Sequence, residues 1–169
     1  MNLYIHFPMT IRARIMGLGL MALFFCGGAI AQDQINFQNI AEKEETFINE
    51  DGEPETRLIP AELVVPGEVI VFTSRFTNIG TEVATNLVIN NPVPENVVYI
   101  DFSARGDNSV VLFSVDGETF GAPNELTVSN DQGGQRSARA EDYSAIRWEL
   151  QEDLEPGETG EVSFRARLL

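Results

Sequence analysis

The chain has 169 residues, and its 26 acidic residues against 11 basic ones give it a formal net charge of −15. A chain of this length is typical of a single domain with one hydrophobic core. So negative a protein lacks the basic surface that nucleic acids and anionic membranes require, and we therefore expect neither as a partner.

Residues 1–31 have the pattern of a secretory signal peptide. Arg12 and Arg14 give a basic start, an apolar run follows over residues 15–25, and an A-x-A sequence ends at Ala31. An apolar run of this length is too short to cross the hydrocarbon core of a membrane as a helix. The sequence therefore predicts cleavage between Ala31 and Gln32, export to the periplasm or the cell exterior, and no membrane span in the mature protein.

Cleavage would remove His6 and Cys26, the only histidine and the only cysteine of the chain. The mature protein would then have no disulfide bond, no nucleophile activated by histidine, and no zinc or copper site built on imidazole or thiolate. We therefore expect no catalytic residues and no enzymatic activity. Phe24 and Phe25 directly precede Cys26, where a lipoprotein signal needs small residues, and this disfavours a lipid anchor at Cys26.

Residues 32–59 form an acidic N-terminal segment of the mature chain. Asp51 and Gly52 are a turn signal, with short β-type runs at residues 46–48 and 56–59 on either side. The segment is therefore either a loose acidic arm or a short hairpin.

Residues 60–169 alternate between apolar and polar positions, with frequent proline, glycine and asparagine between the runs. This pattern predicts seven to nine short strands in an all-β antiparallel sandwich. Asp116 and Gly117 predict a hairpin turn, residues 130–142 an exposed loop, and Trp148 a large filler of the core. The main predicted strands cover residues 69–77, 86–90, 97–103, 110–115, 126–128, 146–150 and 162–168.

Several short motifs follow one another in this region: Val65-Pro66-Gly67-Glu68, Phe72-Thr73, Thr77-Asn78-Ile79-Gly80, Ala84-Thr85-Asn86-Leu87-Val88-Ile89, Asn91-Pro92-Val93-Pro94, Tyr99, Phe113-Ser114-Val115-Asp116-Gly117, Ile146-Arg147-Trp148 and Pro156-Gly157-Glu158. In this order they resemble the bacterial immunoglobulin-like "conserved repeat" domain of unknown function, which is found in exported and cell-surface proteins. The resemblance implies an immunoglobulin-like sandwich over most of the mature chain, a structural or adhesive role at the cell envelope, and no catalytic residues. The chain holds one copy, where many members carry tandem arrays, which argues against a long adhesive stalk.

Calcium is the one cofactor for which the sequence offers candidates, because loop carboxylates are the ligands that this ion prefers. These candidates are Asp107, Asp116, Glu118 and Asp131. None follows the spaced D-x-D-x-D-G pattern, and hairpin chemistry explains Asp116 and Glu118 without a metal. The prediction is therefore no resident cofactor, with calcium as the alternative to test.

The sequence thus predicts a non-catalytic structural or protein-interaction module, whose partner is another envelope protein or a surface glycan. The loop at residues 130–142 and the turn at Asp116 and Gly117 are the expected contact regions, because sandwich loops carry function at little cost to the core. The alternatives are a calcium-dependent adhesion module and a carbohydrate-binding module. The latter would need a row of exposed aromatic side chains, for which the candidates are Tyr99, Phe102, Phe120 and Tyr143.

Overall fold

The structure is a computed structural model, and it describes residues 35–130 and 132–169. The predicted signal segment, its cleavage site at Ala31 and Gln32, and Cys26 lie outside the described residues, as does Asp131. The described residues belong to one compact unit.

The described residues form antiparallel strands and one short 3₁₀ turn, which confirms the all-β prediction. Eleven strands are present in this part of the chain, and the nine that follow Pro60 agree with the seven to nine predicted for residues 60–169. The strands are β1 (Ile35–Ile48), β2 (Pro54–Pro60), β3 (Val69–Asn78), β4 (Val88–Pro92), β5 (Val97–Tyr99), β6 (Arg105–Gly106), β7 (Ser109–Ser114), β8 (Thr127–Ser129), β9 (Gln135–Ser137), β10 (Ala145–Leu150) and β11 (Thr159–Leu168), with the 3₁₀ turn at Ala140–Asp142.

Two sheets account for most of these strands. The larger sheet has the order β2-β1-β3-β11-β5, with β6 also paired to β11. The smaller sheet has the order β4-β10-β7, and β8 pairs with β9 in a separate two-stranded unit. The last strand, β11, lies inside the larger sheet, where it pairs with β3 on one side and with β5 and β6 on the other.

A shared hydrophobic core packs the two sheets together. In β11 the buried residues are Val162, Phe164 and Ala166, which are every second residue, as expected for a strand with one face against a core. Trp148 of β10 is completely buried, with its ring centroid 6.4 Å from that of Phe164. The prediction that Trp148 fills the core is therefore confirmed.

The acidic segment before residue 60 contributes two strands. β1 and β2 pair from Glu42 opposite Pro60 to Ile48 opposite Pro54, and the turn between them includes Gly52. Strand β1 also pairs with β3, from Ile35 to Lys43, so it is part of the larger sheet. The packed sheets therefore begin well before Pro60, where the sequence placed the start of the body.

Several boundaries differ from the sequence predictions, and the strand predicted over residues 86–90 runs from Val88 to Pro92. The strand that begins at Val97 ends at Tyr99 rather than at Ser103, because the chain turns and Phe102 has a positive φ of 57°. The predicted loop at residues 130–142 contains β9 and the 3₁₀ turn. The Asp116 and Gly117 turn is wider than a two-residue hairpin, since the backbones of Phe113 and Gly121 pair across it.

Candidate functional site

The loop after β7 is organised by the side chain of Asp116. One of its carboxylate oxygens accepts hydrogen bonds from the Ser114 hydroxyl at 2.9 Å and from the backbone N–H groups of Glu118 and Thr119 at 2.8 and 2.7 Å. These bonds favour the charged form and hold the pKa of Asp116 well below its usual range, with the Thr119 N–H as the largest cause. The carboxylate therefore has a structural role that needs no metal.

The structure brings only two of the calcium candidates together, because Asp116 and Glu118 line one shallow cavity and Asp107 lies elsewhere. Asp107 lies just before β7 and Asp116 just after it, so a strand of roughly 20 Å separates them. Asp131 is outside the described residues. Within residues 35–130 and 132–169, no three acidic side chains are grouped so that they could hold a metal ion.

Asp107 lines a cavity of about 430 Å³ at one end of the sandwich. Four further carboxylates, those of Glu152, Asp153, Glu158 and Glu161, line the same cavity. Their grouping makes this end of the molecule strongly negative, and it was not visible in the sequence because β7, β10 and β11 bring distant residues to it.

Hydrogen bonds to Asp142 fix the C-terminal part of the predicted contact loop at residues 130–142. Arg136 donates to both carboxylate oxygens of Asp142, and the backbone N–H of Arg139 donates to the same carboxylate at 2.8 Å. The Arg136 guanidinium is the main reason why the pKa of Asp142 is lowered. These bonds therefore fix residues 136–142 in one arrangement at the surface.

The four aromatic candidates for a carbohydrate platform do not form a row. Tyr99 and Tyr143 are buried in the core, and burial raises the pKa of the Tyr143 phenol. The guanidinium of Arg147 covers the ring of Phe120 at 3.8 Å. Phe102 is 86% exposed and lies on the turn after β5. The described residues therefore do not provide the row of exposed aromatic side chains that the carbohydrate-binding alternative would need.

A different region, which we call the open side, lies where β1 and β4 run beside each other. The hydroxyl of Ser74 on β3 is 2.8 Å from the amide oxygen of Asn39 on β1 and 3.0 Å from that of Asn91 on β4, so it links the two sheets. Two shallow cavities of about 210 and 310 Å³ open there, and Phe37 borders one of them. None of the residues that line these cavities carries a charge.

The backbone of β4 has unused hydrogen-bonding groups on the open side. At the ends of the strand, Val93 donates to Ser144 at 2.8 Å and Leu150 donates to Leu87 at 3.0 Å, so the odd-numbered residues bond to β10. Because antiparallel ladders alternate, the N–H and C=O groups of Val88 and Asn90 point away from β10. No other strand of the described residues pairs with them.

Sequence reasoning missed the open side. The only local signal was the run Asn91-Pro92-Val93-Pro94, because proline cannot donate in a sheet ladder and is therefore confined to edges. That run indicated an edge strand, but not that β1 would lie beside it.

No helix among the described residues is both long and apolar enough to cross a membrane. Comparison of the chain with protein-family models, with curated proteins and with solved structures finds no match.

Proposed function

We propose that this protein is an exported, non-catalytic interaction module of the bacterial cell envelope, with an immunoglobulin-like sandwich as its scaffold. The observation that carries the proposal is a two-stranded ribbon, residues 44–58, which we call the hairpin arm. The two antiparallel sheets around one core support the immunoglobulin-like arrangement that the sequence resemblance implies.

The hairpin arm extends beyond the end of β3. Lys43 is the last residue of β1 that pairs with β3, and residues 44–48 pair with β2 alone. Two ion pairs fix the base of the arm to the sandwich: Lys43 to Glu68 at 3.2 Å, and Glu44 to Arg165 with a hydrogen bond of 2.6 Å. The arm therefore leaves the body in a defined direction.

The arm carries apolar side chains in solvent. Ile48 is 66% exposed, and Leu58 is exposed as well. Leu58 pairs with Glu44, and Glu44 and Ile48 are an even number of residues apart on β1, so Ile48 and Leu58 lie on the same face of the ribbon. On the other face, the Arg57 guanidinium lies 4.9 Å from the centre of the Phe47 ring. Exposed apolar side chains on a projecting ribbon are suited to burial against a partner protein.

Export is tested by the mass of the protein recovered from a bacterial host that secretes it. Because residues 1–31 have the signal pattern, we expect a protein that begins at Gln32 in the periplasmic or extracellular fraction. A full-length protein retained in the cytoplasm would contradict the export part of the proposal.

The interaction role is tested by placing a photo-crosslinking amino acid at position 48 or 58 of the protein in its envelope. Position 79 is the control, because Ile79 is 59% exposed but follows the opposite end of β3. We expect a discrete cross-linked product from positions 48 and 58 and none from position 79. Equal products from all three positions, or none from any, would overturn the role of the arm.

A further inference from the structure

We propose that the open side is a strand-addition site, where β4 pairs with an extended, uncharged segment of a partner polypeptide. The inference rests on the proposed interaction function and adds to it a location and a chemistry for one partner. It concerns a surface separate from the hairpin arm.

The smaller sheet has room for one more strand beside β4. Its three strands each face a strand of the larger sheet: β4 faces β3 through Asn91 and Ser74, β10 faces β11, and β7 faces β5 through Phe113 and Tyr99. Strand β1 has no such counterpart among the described residues. Because neighbouring strands lie about 4.8 Å apart, a strand added to β4 would lie over the core-side face of β1.

The backbone of β4 sets the length and the register of that added strand. Val88 and Asn90 each offer an N–H and a C=O group, and Pro92 offers only its C=O. The ladder can therefore extend to Pro92 but gains no donor there. Pairing of this kind gives affinity through the main chain and leaves the side chains of the added strand to give specificity.

The side chains of the open side suit an extended peptide. Phe37 projects from the core-side face of β1 and is 49% exposed, so an added strand would bury its ring. Ser74 has one hydroxyl hydrogen, so it can donate to only one of the amide oxygens of Asn39 and Asn91 at a time. The two amides therefore keep hydrogen-bonding capacity that the backbone or the side chains of a bound strand can use.

The charge pattern selects an uncharged segment. The residues that line the open side carry no charge, whereas five carboxylates line the cavity that includes Asp107. A charged side chain buried in the open side would lose its hydration without gaining an ionic partner. An uncharged strand avoids that cost, and it also avoids the acidic surface elsewhere on the protein.

Strand addition is favoured at β4 over the unpaired part of β1, and a peptide strand is favoured over a sugar as the ligand. A strand added along residues 35–41 of β1 would continue the line of β2, with no facing strand to pack on. At the open side, Phe37 is the one exposed aromatic side chain among the described residues. A single ring offers little stacking area for a glycan, so a sugar is the weaker candidate ligand.

The test is an NMR titration of the isotopically labelled protein with a blocked eight-residue peptide of alternating serine and valine. Two further peptides carry N-methyl groups on the serine amides or on the valine amides, so that each lacks the donors of one edge. We expect shift changes confined to residues 35–41 and 88–92. We also expect one of the two methylated peptides to bind at least about tenfold more weakly than the other.

Matched variants locate the binding edge. Val88→Glu adds a charge beside the free edge, and Val88→Pro removes one outward N–H at the first residue of the strand, where proline is tolerated. Val110→Glu is the control, because Val110 is 43% exposed against 44% for Val88 and both pair with Glu149. We expect at least about a tenfold loss for both Val88 variants and less than about a twofold change for Val110→Glu.

Equal binding of the two methylated peptides, or full binding to Val88→Glu, would overturn strand addition. A second titration uses a six-unit oligomer of N-acetylglucosamine. If this oligomer shifts the same resonances and the peptide does not, the open side binds a glycan and the proposal of strand addition is wrong. If no peptide binds while position 48 still cross-links to a partner, then strand addition fails and the proposed function stands.

Discussion

Trp148 combines complete burial with an unpaired polar group. Its side chain lies between the two sheets, and its indole Nε1 has no hydrogen-bond partner within the described residues. A buried donor without a partner costs about 1–3 kcal/mol, whereas the large ring fills the space between the sheets. Burial of the ring and desolvation of the N–H group therefore act in opposite directions at this residue.

Two substitutions separate these effects. Trp148→Ala should lower the free energy of unfolding by about 3–5 kcal/mol, because it leaves a large cavity. Trp148→Phe should cost less than about half as much, since it keeps most of the ring and removes the unpaired N–H. Urea denaturation followed by far-ultraviolet circular dichroism measures both, and equal losses would contradict the argument.

Asp116 should make the stability of the protein depend on pH. Its pKa is lower in the folded state than in the unfolded state, so its contribution is present at neutral pH and is lost as the pH falls below about 4. Asp116→Asn keeps the shape of the side chain and removes the charge. We expect the variant to be less stable than the wild type at neutral pH, and the difference to shrink in acid.

Thermal unfolding of both proteins across the acidic range measures this difference. Glu141→Gln is the control, because Glu141 is exposed and its one ion pair, with Arg139, is long at 3.7 Å. A difference between wild type and Asp116→Asn that stays constant down to about pH 2 would show that the loss comes from geometry rather than from charge.

At the level of elements, the sequence predicted the strands whose side chains alternate toward the core. Residues 162–168 and 146–150 alternate between apolar and polar residues, and both lie in interior strands β11 and β10. The edge elements were harder to predict. β5 stops after Tyr99 because of backbone geometry at Phe102, and β9 forms within a polar segment that shows no apolar periodicity.

The open side could not be predicted because it depends on which strands become neighbours. Asn39 and Asn91 are far apart in sequence, and only the pairing of β1 with β3 and the packing of β3 on β4 bring them to Ser74. Local patterns indicate that a strand forms, but they do not indicate which of its edges stays free. The carbohydrate candidates failed for a related reason, since alternation alone did not indicate that Tyr99 and Tyr143 face inward.

The hairpin arm should be the least protected paired segment of the larger sheet. Its residues 44–48 pair with one strand, whereas β3 and β11 have neighbours on both sides. We therefore expect backbone amides of the arm to exchange with deuterium faster than those near Phe72 and Phe164 at the sheet centre. Hydrogen exchange followed by mass spectrometry measures this, and equal protection would mean that the arm packs against another surface.

At the scale of the whole molecule, charge repulsion should oppose folding. Cleavage before Gln32 would leave 26 acidic and nine basic residues, a formal charge of −17. Three of the six ion pairs of the described residues have both side chains exposed, and each such pair contributes only about 0–1 kcal/mol. Dissolved salt screens both interactions, and it should therefore weaken the repulsion between like charges more than it weakens the attraction within the ion pairs.

We accordingly expect the melting temperature to rise when sodium chloride is increased from about 10 mM to about 0.5 M. Differential scanning calorimetry measures this shift. Potassium chloride serves as the control for a specific effect of the sodium ion. A melting temperature that falls with salt would mean that the ion pairs at the base of the arm and in the 130–142 segment outweigh the repulsion.

The interior position of β11 determines the order in which the molecule is able to fold. Its partners β3 and β5 come much earlier in the chain, so Thr159–Leu168 must be synthesised before the centre of the larger sheet can close. Contacts between such distant segments slow folding, typically to the range of milliseconds to seconds. Until β11 has been synthesised, β5 has no partner strand and β3 has only β1 among the strands of the described residues.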